Sequence, residues 1–172
     1  MIFLYALLFV VALLLLLLVI ALFIKKKHYV NREIIIEAPL NKVFDFLRYL
    51  KNQEKFNQWA QTDPNRKIET TGMDGMVGYV YAWTGNKEAG HGAKEIINII
   101  EGKRIETEIR FTKPMKVSAL VIMETESLSG SRTKVNFINT GILPYPINIM
   151  IPFAEKNFAK EMDRSLAALK KF

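Results

Sequence analysis

The chain has 172 residues, no cysteine, and 24 Lys and Arg against 17 Asp and Glu, a formal net charge of +7. Without cysteine there is no disulfide, thiol nucleophile, iron–sulfur cluster or zinc–thiolate site. No nucleic-acid-binding motif accompanies the basic balance, and a basic face beside an anionic membrane accounts for it, at about 1 kcal/mol per Lys or Arg near the surface.

Residues 2–24 form an unbroken apolar run without charge, Pro or Gly, ended by Lys25, Lys26 and Lys27. As a helix the run spans roughly 34 Å, enough for a hydrocarbon core of about 30 Å. In lipid a backbone must satisfy its own hydrogen bonds, which favours the helix. The run exceeds the apolar core of about 7–15 residues in a cleaved secretory signal, and lysines follow it where small residues belong. It is therefore expected to be an uncleaved transmembrane anchor. Lys25, Lys26, Lys27 and Arg32 all lie on its C-terminal side. The positive-inside rule then places the N-terminus outside, the three lysines at the membrane surface and the remainder in the cytoplasm. Tyr5 and Tyr29 fit interfacial aromatics. Residues 25–29 read as a linker that reaches at most about 17 Å, and residues 30–172 as one domain.

In that domain residues 30–37 carry Ile34, Ile35 and Ile36, β-branched side chains that favour a strand, which Ala38-Pro39 stops. Val43, Phe44, Leu47 and Leu50 recur at helical spacing, with Asn41 as the expected cap. A second short helix is expected over residues 53–59, and Thr62-Asp63-Pro64-Asn65 is turn chemistry. The period then changes to that of strands, over residues 67–71, 78–84, 94–100, 104–112, 116–128 and 133–140. Gly-rich or Pro-containing turns separate them, and short turns imply antiparallel neighbours. Ile105, Thr107, Ile109 and Phe111 face one way, and Arg104, Glu106, Glu108 and Arg110 the other. Residues 94–100 carry apolar side chains on both faces. After Leu143-Pro144-Tyr145-Pro146, Pro152 opens a helix whose apolar stripe is Ala154, Phe158, Met162, Leu166 and Leu169. The expected fold is α+β: one curved antiparallel sheet of about seven strands around a long C-terminal helix. The transmembrane helix precedes it.

Several segments resemble the START-like superfamily, also called SRPBCC or helix-grip, and its polyketide cyclase/dehydrase and lipid transport branch. They are Ile36-Glu37-Ala38-Pro39 followed by Val43-Phe44-Asp45-Phe46-Leu47, then Trp59 and Asp63-Pro64. Gly75, Gly78, Trp83-Thr84-Gly85, Phe111-Thr112-Lys113-Pro114, Gly141, Pro146 and Asn148 continue the series to the final helix. The resemblance covers residues 30–172, and the apolar run lies outside it. It implies a deep, mostly apolar cavity for lipids, polyketides or other hydrophobic small molecules. Fold alone does not choose between binding and catalysis.

Candidate cavity residues follow from the alternation and the helix stripe. Tyr79, Tyr81 and Trp83 share one strand face, Trp59 and Phe111 add aromatic surface, and Phe153, Phe158 and Met162 lie on or at the start of the last helix. Met115 and Met123 add adaptable lining. His91, between two glycines, reads as a solvated loop residue, and His28 as interfacial. Two histidines without cysteine or an H-x-x-x-H pattern indicate no metal site. Gly72, Gly75 and Gly78 are hairpin glycines rather than a dinucleotide fingerprint, so no cofactor is expected. Lys156, Lys160 and Arg164 read as a solvated helix face, relieved by Glu155, Glu161 and Asp163.

Three functions fit these residues. The first is a membrane-anchored, non-catalytic binding protein for a hydrophobic small molecule or lipid. The second is a cyclase/dehydrase-like enzyme that works largely by shaping a bound chain. The third is a membrane-tethered interaction domain whose cavity is closed by side chains.

Overall fold

The computed structural model describes residues 1–172. Helix α1, Ile2–Phe23, stands apart from the rest, and only Ala21 on it is buried. It presents apolar side chains on every side. It is long and apolar enough to cross a membrane. Its last turn meets the domain through Asn148, whose side-chain amide donates to the carbonyls of Ala21 and Ile24 at 2.6 and 2.7 Å. The C-terminal carbonyls of a helix lack intrahelical partners, so one residue of the domain satisfies what α1 cannot.

The sheet has the order β1-β7-β6-β5-β4-β3-β2, with every neighbour antiparallel. Its strands are β1 Lys27–Ile36, β2 Lys67–Thr71, β3 Val80–Thr84, β4 His91–Ile100, β5 Arg104–Lys113, β6 Val117–Ser129 and β7 Arg132–Ile142. The hairpin order follows from the short turns read in the sequence. Strand β1 begins three residues earlier than its β-branched pattern, with Lys27 opposite Ile142. The amide of Leu143 donates to the carbonyl of Lys26 at 2.9 Å, extending the pairing further. The segment between α1 and the sheet is therefore residues 24–26, not 25–29. Backbone pairing with β7 sets that boundary, and backbone pairing leaves no mark in side-chain pattern.

Helices α2, Leu40–Arg48, and α3, Leu50–Phe56, cross one end of the sheet and bury Val43, Phe44, Leu47, Leu50 and Phe56. Asn41 lies inside α2, whose cap position is Pro39, so Asn41 does not cap it. The first amides of α3 donate instead to Asp74, Leu50 to Oδ1 at 2.8 Å and Lys51 to Oδ2 at 3.1 Å. A carboxylate at a helix N-terminus serves both the free amides and the dipole, and here it comes from the β2–β3 turn. A short 3₁₀ turn, Gln58–Thr62, follows where the second helix was expected to continue.

Helix α4, Ile151–Leu169, lies across the concave face with Pro152 in its first turn. The Ser165 hydroxyl donates to the Glu161 carbonyl and accepts from the Gln58 amide at 3.1 Å, fixing the 3₁₀ turn to α4. The α2/α3 end of the space under α4 is filled by Leu47, Leu50, Ile96, Ile105, Val135 and Met162, each at most 1% exposed. The other end is where β1 leaves α1, and there the filling stops.

Candidate ligand-binding cavity

Along β4, β6 and β7 the inward side chains change character toward the α1 end. On β4 the sequence runs Ile96, Lys94, Gly92, and on β7 it runs Val135, Phe137, Asn139, Gly141. On β6 it runs Thr125, Met123, Val121, Ala119. Branched aliphatics give way to small or polar residues, and the space they leave is a cavity of about 190 Å³. An apolar cavity of about 150 Å³ already takes up benzene. Thr62 and Glu88, both exposed, border the cavity where it meets the surface.

Six of the ten cavity candidates are in its wall: Trp59, Tyr81, Trp83, Phe111, Met123 and Phe158. Trp83 stands edge-on to Phe111 with ring centroids 5.4 Å apart, and its indole N–H donates to the Ala89 carbonyl at 3.0 Å. Gly92 leaves room for that indole, since a Cβ there would sit 2.7 Å from the ring. Trp59 is placed by the 3₁₀ turn, where the Asn57 side chain accepts from its amide at 3.0 Å, and its ring meets Phe158 at 6.2 Å.

The other four lie elsewhere. Tyr79 is buried at the packed end, before β3 begins, and Met162 is fully buried core. Met115 and Phe153 are exposed, at 40% and 65%, on the outer surface at the α1 end. Strand parity placed Tyr79 on the correct face but said nothing about which end of the sheet is open. Of the three expected membrane-surface lysines, all are exposed; Lys25 pairs with Glu155 at 2.7 Å and Lys27 opens β1. Burial acts against Glu155's charge, but Lys25 and the Tyr29 amide outweigh it and hold the carboxyl below its usual value.

The polar part of the wall was not anticipated. His28, expected at the membrane interface, is only 4% exposed and faces the cavity. Its Nε2 lies 2.8 Å from Asn139 Oδ1, and its ring is 5.4 Å from Phe158. Gly141 stands under it, because a Cβ there would sit 2.7 Å from His28 Cε1. His91, expected in a loop, is the first residue of β4, opposite Lys113.

Across the cavity Glu54 of α3 is bound by both Lys94 of β4 and Arg66, and accepts from the Tyr81 hydroxyl at 3.1 Å. The three charged side chains are only 10–13% exposed. Burial by itself would raise the Glu54 pKa; the charges of Lys94 and Arg66 and the hydrogen bonds from Lys94 and Tyr81 prevail and lower it. The Tyr81 hydroxyl is pushed up to about 12, by burial first and then by the Glu54 charge. One signal in the sequence points to this cluster: Lys94 lies two residues from both Gly92 and Ile96, so strand parity turns it inward. Its partner Glu54 is 40 residues away, on α3, beyond any local pattern.

No family model matches the chain, and no curated protein matches it in sequence. Solved structures do match. A protein from Mesorhizobium loti is 13% identical with a TM-score of 0.63, the match covering 84% of this chain and 95% of that one. Norcoclaurine synthase from Thalictrum flavum, in complex with dopamine and hydroxybenzaldehyde, is 12% identical with a TM-score of 0.62, covering 84% and 85%. Ara h 8.0201 is 16% identical with a TM-score of 0.54, covering 83% and 98%. The chain has the helix-grip fold: a seven-stranded antiparallel sheet curved around a C-terminal helix, here with an apolar helix in front.

Proposed function

We propose that the chain is a membrane-anchored, non-catalytic binding protein for a small hydrophobic molecule that exchanges with the bilayer. One observation carries this reading: the cavity and α1 share an end of the sheet. Lys26 and Leu143, which close the β1–β7 pairing beside α1, flank His28 in the cavity wall. A ligand leaving the lipid at that end meets the cavity without crossing the packed half. The surface there fits a membrane contact. Ile142, Tyr145, Met150 and Phe153 are 41–65% exposed, and Met115 is exposed on the neighbouring β5–β6 turn between Lys113 and Lys116. Apolar side chains set among lysines suit the boundary between acyl chains and anionic headgroups. The lysines after α1 support a cytoplasmic domain. Membership of the polyketide cyclase/dehydrase and lipid transport branch is part of this reading.

The test uses the full chain, purified in lipid nanodiscs and released for native mass spectrometry. A bound hydrophobic mass that is absent after Ala119→Leu supports the proposal. A domain that stays empty across a panel of lipids, fatty acids and aromatic compounds defeats it. For the placement, protease added to intact cells is expected to spare the domain, and cleavage refutes the cytoplasmic assignment.

A second reading, a cyclase/dehydrase-like enzyme, is favoured by one observation: Glu54, Lys94 and Tyr81 bring titratable groups into the cavity wall. Turnover of a polyketide-like substrate that is lost in Glu54→Gln would establish it. The cavity is open rather than filled by side chains, so a closed interaction domain gains no support from it.

A further inference from the structure

We infer that the cavity selects an amphiphile with a single anionic head, of the medium-chain carboxylate class, and that Lys94 reads that head while Arg66 holds Glu54. This rests on the cavity being a ligand site and adds which chemistry it accepts. The charges in the wall do not cancel. Lys94 and Arg66 are cationic, and Glu54 is the one buried anion between them. Glu88 lies at the exposed border, and the Asp63 carboxylate is occupied by the amides of Asn65 and Asn86 at 3.1 and 2.7 Å. One positive charge is therefore left over in a space of low polarity, where charge is costly without a partner.

The surplus is available to a ligand. An ammonium has three donors, and Lys94 makes one side-chain hydrogen bond, to Glu54. Arg66 is more fully used: its guanidinium donates to Glu54 and to the carbonyls of Ala60 and Asp63. Lys94 is thus the group with free donors, and Arg66 the group that holds Glu54 so that Lys94 is not fully neutralised. Lys94 also lies 5.7 Å from the Tyr81 ring centre, which fixes its approach. A buried ion triad kept only for stability is a poor choice, since apolar residues of similar volume commonly serve as well or better. A buried charged cluster with specific partners in a cavity wall marks a candidate functional site. The remaining wall, with Trp59, Ile109, Phe111 and Phe158, is apolar or aromatic and suits the tail. The volume suits a single chain or ring rather than a two-chain lipid.

Both tryptophans of the chain line the cavity, so intrinsic fluorescence reports its occupancy. The full chain in phosphatidylcholine nanodiscs would be titrated with octanoate, octanol and octylamine, compared at equal free concentration. Octanoate is expected to bind about tenfold more tightly than octanol, as for one charge-assisted hydrogen bond, with octylamine weakest. Lys94→Gln should remove the octanoate preference, so that octanoate and octanol bind alike. Glu54→Gln should strengthen octanoate binding, because it removes the competing anion. Circular dichroism checks that each variant is folded, and either variant alone suffices to test the inference. A triad with only a structural role would move octanoate and octanol together in both variants. Equal binding of octanoate and octanol by the unaltered chain overturns the head assignment and leaves the cavity reading standing. No fluorescence response to any of the three overturns both.

Discussion

At the end of the sheet covered by α2 and α3, the inward positions hold Ile96, Ile105 and Val135, with Leu47 of α2 and Met162 and Leu166 of α4 closing over them. At the end joined to α1, the same strands hold Gly92, Ala119, Asn139 and Gly141, and α4 offers Phe158. The same strands run through both ends, so the difference lies in side-chain volume and polarity and in the cover that α2 and α3 give one end only. The packed half supplies stability by excluding voids. The open half leaves side chains without partners on one face, which loses dispersion contacts and creates a place for another molecule. Stability and the proposed binding thereby fall at opposite ends of one sheet.

The largest effect should come from the packed half. Leu47→Ala removes a side chain with 0% exposure and is expected to cost about 3 kcal/mol in urea unfolding of the detergent-solubilised chain. A loss below about 1 kcal/mol would mean that this half is not the stability centre. Acid should act next, through the open half. The Glu54 pKa is lowered in the folded chain, so its stabilising effect is complete above the ordinary carboxyl value of 4.5 and is lost as pH falls through the folded value. Thermal unfolding followed from pH 7 downward should therefore show a loss below about 4.5 that Glu54→Gln lacks.

Phe158→Ala should cost less than Leu47→Ala, about 1–2 kcal/mol, because Phe158 is only half-buried and already faces a cavity. Its effect on ligand affinity should exceed its effect on stability. If it destabilises as much as Leu47→Ala, the division between the halves fails. The smallest stability change should be that of Ala119→Leu, within about 1 kcal/mol, since the added methylenes enter open space. The same change should abolish ligand binding in the native mass spectrum. A stable variant that still binds would place the ligand elsewhere.

The two halves also differ in how far the sequence revealed them. The packed half was legible because it is made by periodicity: Val43, Phe44 and Leu47 on α2, and Met162, Leu166 and Leu169 on α4, are all buried as their spacing requires. The aromatic wall was legible in part, since alternation turned Tyr81, Trp83 and Phe111 inward but gave Tyr79 the same standing. The polar wall was not. His28 is next to three lysines in the chain, and only its pairing with Gly141 and its bond to Asn139 take it out of solvent. Glu54 reads as one polar residue of a short helix, and its meeting with Arg66, Tyr81 and Lys94 depends on how α3 docks.

By itself the sequence determined that an apolar helix precedes an antiparallel, helix-covered domain. Hydrophobic period, turn residues and the basic flank are local properties, and they act over a few residues at a time. Tertiary structure decided the rest: where the strands begin at the α1 end, which end of the sheet is hollow, and which charges meet inside it. Each depends on register and docking between segments far apart in the chain. Asn148 shows the distinction most simply. Its side chain satisfies the last carbonyls of a helix more than 120 residues earlier, as the separations of 127 and 124 residues show. Nothing near Asn148 in the chain specifies that contact.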